Sequence, residues 1–369
     1  MHKVILDDVL KYEQPTKYIV ETENYNNNFK TPVLTAGKSF ILGYTDEENG
    51  IFTDVPVIIF DDFTTAFHYV DFPFKVKSSA MKILKSVKEK ADLRFLYYKM
   101  QTIYIDKDLH KRYWISKYSQ IQIPLPDLPT QQKIAKILDK ADELRQYNQQ
   151  LIAKYDALTQ SLFLDMFGDP VKNEKGWEKK GLKNFGKIST GNTPSRADAK
   201  NYDNDHIEWI KTDNIKENII YVTEANEYLS EKGLSKGRSV NAGSILVACI
   251  AGSIESIGRV ALTNRKVSFN QQINAIEPNS NVNSQFLYYL IKSSRKHIQN
   301  HASNGMKRML TKGEFEKIII ILPPINLQNK FAERIQLIEA QKQQAQEALV
   351  KSELLFQGLL QQAFNGELS

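Results

Sequence analysis

The stretch Leu125-Pro126-Asp127-Leu128-Pro129-Thr130-Gln131-Gln132-Lys133-Ile134-Ala135 returns 197 residues later as Leu322-Pro323-Pro324-Ile325-Asn326-Leu327-Gln328-Asn329-Lys330-Phe331-Ala332. The match continues without a gap, Leu158 with Leu355 and Phe167 with Phe364. Upstream, Phe95-Leu96-Tyr97-Tyr98 recurs as Phe286-Leu287-Tyr288-Tyr289 at an offset of 191. The apolar run Ile121, Ile123, Leu125 recurs as Ile318, Ile320, Leu322. A period this long far exceeds the roughly 20–50 residues of a solenoid repeat. It implies two copies of a domain plus linker, and hence a pseudo-twofold molecule.

The segment after each proline motif reads as a long helix. Residues 130–166 contain no Gly or Pro, and large residues fall at Ile134, Ile137, Ala141, Leu144, Leu151, Tyr155, Leu158 and Leu162. These three- and four-residue steps, with Asn148 at the one missing position, predict a coiled-coil seam. Thr130 is the expected N-cap, and Gly168-Asp169-Pro170 the stop. The second helix spans about 326–364, with seam residues Phe331, Ile335, Ile338, Lys342, Ala345, Leu349, Ser352, Phe356 and Leu359. Asn326 is its expected cap and Asn365-Gly366 its end. One apolar stripe on so long a helix needs a partner, so the two should pack antiparallel. Asn148 should then lie near Gln341, Lys342 and Ala345 and fix the register.

The rest divides into two globular units. In the first, Pro32-Val33-Leu34-Thr35, Phe40-Ile41-Leu42-Gly43-Tyr44 and Val55-Pro56-Val57-Ile58-Ile59-Phe60 read as strands, with a helix over about 92–101. In the second, Glu208-Trp209-Ile210, the run from Ser244 to Ile250 and Arg259-Val260-Ala261-Leu262 are strand-like, with a helix over about 284–300. The expected fold is α+β: two α/β domains, each a curved or barrel-like sheet plus helices, separated by two long antiparallel coiled-coil helices. Expected boundaries are 1–125, 126–168, 169–322 and 323–369.

A chain of 369 residues suits two or three domains, and 41% hydrophobic residues suffice for real cores. The net charge of +6 permits a polyanionic partner without proving one. Cys249 is the one cysteine, so an internal disulfide framework is excluded and a cytoplasmic location is expected. It sits in an apolar run and reads as a core residue. No apolar run approaches a membrane span, and no signal-peptide core precedes Asp7.

Polar, glycine-punctuated loops carry the side chains that pair with phosphates and base edges. In the first unit the candidate DNA contacts are Thr35, Gly37, Lys38, Ser39 and Tyr44, then Phe63, Thr64 and Thr65, then Lys77, Ser78 and Ser79. In the second they are Lys211, Thr212 and Asn214, then Ser253, Arg259, Asn270 and Gln271, then Asn304, Lys307, Arg308 and Lys312. Any one such loop could equally be a plain surface turn. Charge clustering favours contact: Lys292–Lys312 holds six basic and no acidic residues, and Lys75–Lys99 holds eight basic against Glu89 and Asp92. Two matching basic surfaces would suit one long polyanion.

No catalytic centre is evident. The chain has no phosphate-binding Gly-x4-Gly-Lys-Ser/Thr loop, and Leu322-Pro323-Pro324-Ile325 lacks the polar and aromatic ends of an amino-methyltransferase tetrapeptide. Glu178-Lys179-Lys180 has no Pro-Asp pair suitably placed before it. His297 and His301 have helical zinc spacing but no third ligand, so no metal is expected.

Together these segments resemble the specificity (S) subunits of Type I restriction-modification systems. Leu125-Pro126 through Ala135, the heptad helix and Met166-Phe167-Gly168-Asp169 are similar to that family's central conserved region. Leu322-Pro323-Pro324 through Ala332 is similar to its distal copy. The loops around Thr35–Lys38, Phe60–Thr65 and Lys77–Ala80 resemble one type of target recognition domain, and Trp209–Ile215 another. The resemblance implies that 1–125 and 169–322 each read one half of an asymmetric double-stranded DNA target. It implies that the helices set the half-site spacing and dock two methyltransferase subunits, which link to restriction subunits. S-adenosylmethionine, ATP and Mg would belong to those partners, and this chain would be non-catalytic. A coiled-coil scaffold, or a subunit serving modification only, are the competing expectations.

Overall fold

The computed structural model describes residues 2–37, 39–87, 89–105, 112–303 and 308–368. The chain forms two compact units: residues 1–150 with 346–369, and residues 151–345. Each takes the start of one long helix or its continuation, together with part of the other.

The first unit contains β1 (His2–Ile5), α1 (Leu6–Val9), β2 (Leu10–Glu13), β3 (Thr31–Leu34), β4 (Ile41–Thr45), β5 (Val57–Asp61), β6 (Phe67–Val70), β7 (Lys75–Val76) and β8 (Met81–Ser86). These are followed by α2 (Leu93–Gln101), α3 (Tyr113–Ser116), β9 (Gln122–Leu125) and the first part of α4 (Leu128–Phe167). The two larger sheets are ordered β2-β8-β5-β6 and β4-β3-β7, with β3 and β7 parallel, and β1 pairs with β9 in a separate two-stranded sheet. Successive strand residues face opposite sides, and β5 shows both sides buried. Ile58 and Phe60 join a core with α2 and the long helices, while Val57 and Ile59 join a core with Leu34 and Val76 of the small sheet. The curved sheet expected from sequence is thus two facing sheets, with helices on the outer face of the larger one.

The second unit repeats this plan. Its elements are β10 (Lys179–Gly181), β11 (Gly186–Thr190), β12 (Ile207–Ile210), β13 (Tyr228–Leu229), α5 (Glu231–Lys236), β14 (Ser239–Val240), β15 (Ile245–Ala248), β16 (Ile250–Ala251), β17 (Val260–Leu262), β18 (Val267–Phe269) and β19 (Ile273–Pro278). Then come α6 (Ser284–Ser293), α7 (Arg295–Gln299), β20 (Arg308–Met309), α8 (Lys312–Lys317), β21 (Ile319–Ile321) and α9 (Ile325–Asn365). The sheet orders are β11-β19-β15-β17 and β13-β12-β18-β14, again with one parallel pair, β12 and β18. Strand for strand this is the order of the first unit, with β14 added. β15 is the counterpart of β5: Ile245 and Val247 enter the helix-side core, Leu246 and Ala248 the inter-sheet core. Cys249 is buried beside them, and burial pushes its thiol up to about 12, which suits a core residue.

The repeated Phe-Leu-Tyr-Tyr lies on α2 and α6 and roots each helix in its unit. Its first two residues are fully buried in both copies. Its last tyrosine donates to an acid on a long helix: Tyr98 to Asp139 at 2.6 Å, Tyr289 to Glu339 at 2.8 Å. Arg94 joins the first of these, its Nε 2.6 Å from Asp139.

Within each unit the long helices run antiparallel. In the first, Arg145 meets Glu353 at 3.4 Å and Asn148 Nδ2 donates to Ser352 Oγ at 3.3 Å. In the second, Lys342 meets Asp156 at 2.5 Å, and Phe163 and Phe167 pack edge-on against Phe331. The expected seam of the distal helix holds, with Phe331, Ile335, Lys342, Ala345, Ser352 and Phe356 all buried. The first helix corrects the reading at alternate positions. Leu144 and Leu158 are half exposed, whereas their neighbours Arg145 and Thr159 face inward. Arg145 is held inside by Asp142 and by the Phe356 ring, 4.4 Å from its guanidinium. The partner of Asn148 is also corrected, from the neighbourhood of Lys342 to Ser352. The caps differ too. Asp127, not Thr130, caps α4, its carboxylate accepting the Thr130 amide at 3.0 Å. α9 starts at Ile325, where the Pro324 carbonyl accepts the amides of Leu327 and Gln328. Gly168 ends α4 with φ +73°, a conformation costly for other residues. Among the described residues no helix is long and apolar enough to cross a membrane.

Candidate nucleic-acid interface

In the first unit the parallel strands β3 and β7 both point their C-terminal ends at candidate loops. The Lys77 amide donates to Leu34 O at 3.0 Å, which joins loop 77–80 to loop 35–40. The Asp62 amide donates to Ala80 O at 3.2 Å, which joins loop 61–66 to the same group. Phe40 stacks on His68 at 4.4 Å, closing the set. Thr35, Gly37, Ser39, Phe63, Thr64, Thr65, Lys77, Ser78 and Ser79 are therefore brought together at one end of the sheets.

The loops are braced from within. Thr35 Oγ1 donates to Ser39 O and accepts the Gly37 amide. Asp61 accepts the amides of Phe63 and Thr64, each at 2.8 Å, and Thr65 takes φ +61°. This turn holds Phe63 outward with 53% of its surface exposed. Below it Asp62 is buried with Lys82, 3.6 Å away, and accepts the Trp114 amide at 2.8 Å. Burial pushes the pKa of His68 down, which favours the neutral ring in this cluster.

Two expectations for this unit are corrected. Tyr44 sits toward the far end of β4, opposite Pro32 and away from the loop that precedes Ile41. The basic run Lys75–Lys99 is not one surface. Lys75 is buried on Glu47, Lys82 on Asp62, and Lys85 bridges Glu13 and Asp54. Lys77 remains near the loops but pairs with Glu23, whose hydrogen bond raises the lysine pKa.

The second unit gathers its loops around residues 270–272. The Asn270 amide donates to Ile210 O at 3.0 Å, and the Asn192 amide to Phe269 O at 3.1 Å. The Cys249 amide donates to Gln272 O at 2.8 Å, and β16 pairs Ala251 with Arg308. Lys211, Thr212, Ser253, Gln271 and Arg308 thus share one region, and Arg259 bonds Ser256 within it. Gly191 makes this approach possible, since a Cβ there would overlap the carbonyls of Asn270 and Phe269.

Asn214 and Asn270 are corrected from readers to braces. Both are buried, and Asn214 bonds the Lys211 amide, Thr223 and Glu224 O, while Asn270 bonds Gln272 through both ends of its amide. Lys211 is tied to Glu227, whose pKa that bond lowers. Lys312 opens α8, whose Phe315 enters the helix-side core, and its ammonium lies 3.3 Å from Glu316. Lys38, Asn304 and Lys307 lie outside the described residues. Sequence reasoning missed Thr193, bonded to Gln271, and Arg196, which packs on Tyr202 and Trp209 and pairs with Glu227. The signal was present in Gly191-Asn192-Thr193-Pro194-Ser195-Arg196, a polar turn ending in a cation.

The chain is similar to known proteins over most of its length. The profile of the Type I restriction modification DNA specificity domain matches residues 1–154 and 174–350. The Type I restriction enzyme EcoR124I/EcoR124II specificity subunit of Escherichia coli is 34% identical over 347 residues, covering 89% of this chain and 84% of that protein. The HindI specificity subunit of Haemophilus influenzae is 34% identical over 154 residues, covering 40% of this chain and 32% of that one. The crystal structure of a Type I S subunit from M. genitalium superposes with a TM-score of 0.66 at 16% identity, covering 98% of this chain and 96% of that one. A structure from work on assembly and conformational transition of a Type I system gives 0.56 at 16% identity, covering 100% and 98%. The duplicated fold, the two loop clusters and the sequence match together establish that this chain belongs to the family of Type I restriction-modification DNA specificity subunits.

Proposed function

We propose that each loop cluster reads one half of a bipartite, asymmetric target in double-stranded DNA, with 1–125 and 169–322 as the reading domains. The observation that carries this is one strand order built twice with different loops. The long-helix motifs repeat closely while the loops of the two units share no sequence, which supports two similar supports that carry different reading surfaces. The reading residues are Thr35, Gly37, Ser39, Phe63, Thr64, Thr65, Lys77, Ser78 and Ser79 in one domain. In the other they are Lys211, Thr212, Thr193, Ser253, Arg259, Gln271 and Arg308.

The long helices serve as spacer and dock. Leu158 and Leu355 occupy the same place in the repeat and are 49% and 48% exposed. A leucine kept twice on a solvent-facing position supports two similar protein partners, which we assign as methyltransferase subunits. S-adenosylmethionine, and the ATP and Mg of any restriction subunit, would be held by those partners. This chain supplies the address and its partners the chemistry, in the cytoplasm.

The experiment is a matched insertion of one heptad after Gln150 in α4 and after Ala345 in α9. Seven residues add about 10 Å of helix, equivalent to at most about three base pairs at about 3.4 Å each. Sequencing of methylated sites should show both half-sites unchanged and the gap longer by two to three base pairs, roughly in line with that rise. An unchanged gap would defeat the spacer reading.

A further inference from the structure

The sequence repeat keeps one residue whose role in DNA reading is not explained by either loop cluster. Gln131 and Gln328 occupy the same position in the two copies, and both are fully buried. Gln131 Oε1 accepts the Asp92 amide at 2.9 Å, and its Nε2 donates to Lys90 O at 3.2 Å and Pro126 O at 2.9 Å. Gln328 Oε1 accepts the Asn283 amide at 2.9 Å, and its Nε2 donates to Asn281 O at 3.1 Å and Pro323 O at 2.8 Å. Each amide therefore spends both its donors and an acceptor on three backbone groups. The same three bonds recur at matching positions although the surrounding domains have diverged.

Each glutamine ties three segments: the first turn of a long helix, the turn before it, and the loop entering α2 or α6. Asp92 and Asn283 also cap those short helices through their own side chains. The clasp thus sits at the root of both the reading domain and its long helix. Apolar packing in the same cores is non-directional and tolerates small rotations. Three directional hydrogen bonds to backbone fix an angle.

We propose that Gln131 and Gln328 are positioning residues that hold each reading domain at a fixed angle on its long helix and so fix the length of the gap between half-sites. This rests on the two-half-site reading above. Leverage makes the angle matter. Reading loops at about twice the roughly 13 Å radius of gyration of a 100-residue domain move by about 3.4 Å, one base-pair step, when the domain swings by about 8°.

The test uses Gln131→Met and Gln328→Met, which keep the side-chain length and remove the amide. The full chain with its methyltransferase subunits is assayed on duplexes carrying the native half-sites, with the gap native or altered by one base pair. Each variant should raise methylation at altered gaps, relative to the native gap, about tenfold over wild type, with base preference inside the half-sites unchanged. An unchanged gap profile overturns the proposal, as does an equal loss of gap and base preference. A wild-type chain indifferent to gap length would instead refute the two-half-site reading. The clasp is then judged by hydrogen exchange on the chain alone. The Asp92 and Asn283 amides should exchange with the cores of their units in wild type, and about tenfold faster in the matching variant. Exchange at loop rates in wild type overturns the clasp even if neither variant folds.

Discussion

Replacing Asn148 with leucine tests what the polar layer between the long helices does. Asn148 is 6% exposed, and its amide spends one hydrogen bond on Ser352 Oγ. Ser352 also donates to Leu349 O at 2.8 Å, so removing the amide leaves its hydroxyl bonded. The substitution therefore creates no orphaned donor. It loses one hydrogen bond, about 1 kcal/mol net. It gains a buried leucine side chain, about 1.5–3 kcal/mol. The balance is a stabilisation of about 1 kcal/mol, which in a unit of this size raises Tm by about 2–4 °C. Specificity should move the other way. Without the amide, the hydrogen bond that joins Asn148 to Ser352 across the two helices no longer opposes a slide of one along the other, so the gap between methylated half-sites should broaden. Calorimetry gives the first quantity and sequencing of methylated sites the second. An unchanged or lower Tm together with an unchanged gap would refute the reasoning.

Two further substitutions address the first unit. Burial alone would raise the Glu47 pKa, but the bond to Lys75 and the Thr22 and Glu21 amides outweigh it and bring it down to about 2. A carboxyl held below its ordinary value near 4.5 stabilises the fold above that pH and loses the contribution as pH falls toward 2. Glu47→Gln should cost about 2 kcal/mol at pH 7, and urea midpoints of variant and wild type should converge as pH drops from 4.5 to 2; a constant difference would count against the pair. Phe63→Ala should leave stability within about 0.5 kcal/mol but weaken specific DNA binding about tenfold. The change should relax base choice only in the first unit's half-site and leave the salt dependence alone, since no charge is lost. Uniform weakening across sequences would remove Phe63 from the readers.

Much of this architecture was legible because it is periodic or repeated. The proline motifs, the long helices and the seam of the distal helix follow from spacing alone. The first helix misled at Leu144 and Leu158 because an apolar residue was assumed to face the partner helix. Both instead face water, while Arg145 turns inward onto acids and a ring. The partner of Asn148 depended on where each helix begins relative to the other, which no local pattern encodes. The matching sheet orders were invisible for the same reason, since strand order is a property of distant pairings. Charge counting misread Lys75 and Lys82 because a lysine in sequence carries no sign of the acid it will meet. Asn214 and Asn270 misled because asparagine braces loops through its own backbone bonds as readily as it reads bases. Within the loops, the structure separates residues held outward, such as Phe63, from residues that brace the loop, such as Asn214 and Asn270.

The central claim is that this chain alone chooses the DNA address, in two unlike halves. The most direct measurement is sequencing of methylated bases in cells that express this chain with its methyltransferase subunits and carry no other such system. The account predicts one motif made of two different short half-sites separated by a fixed run of unspecified bases, and none when this chain is omitted. A continuous motif, a symmetric pair of identical half-sites, or the same methylation without this chain would contradict it.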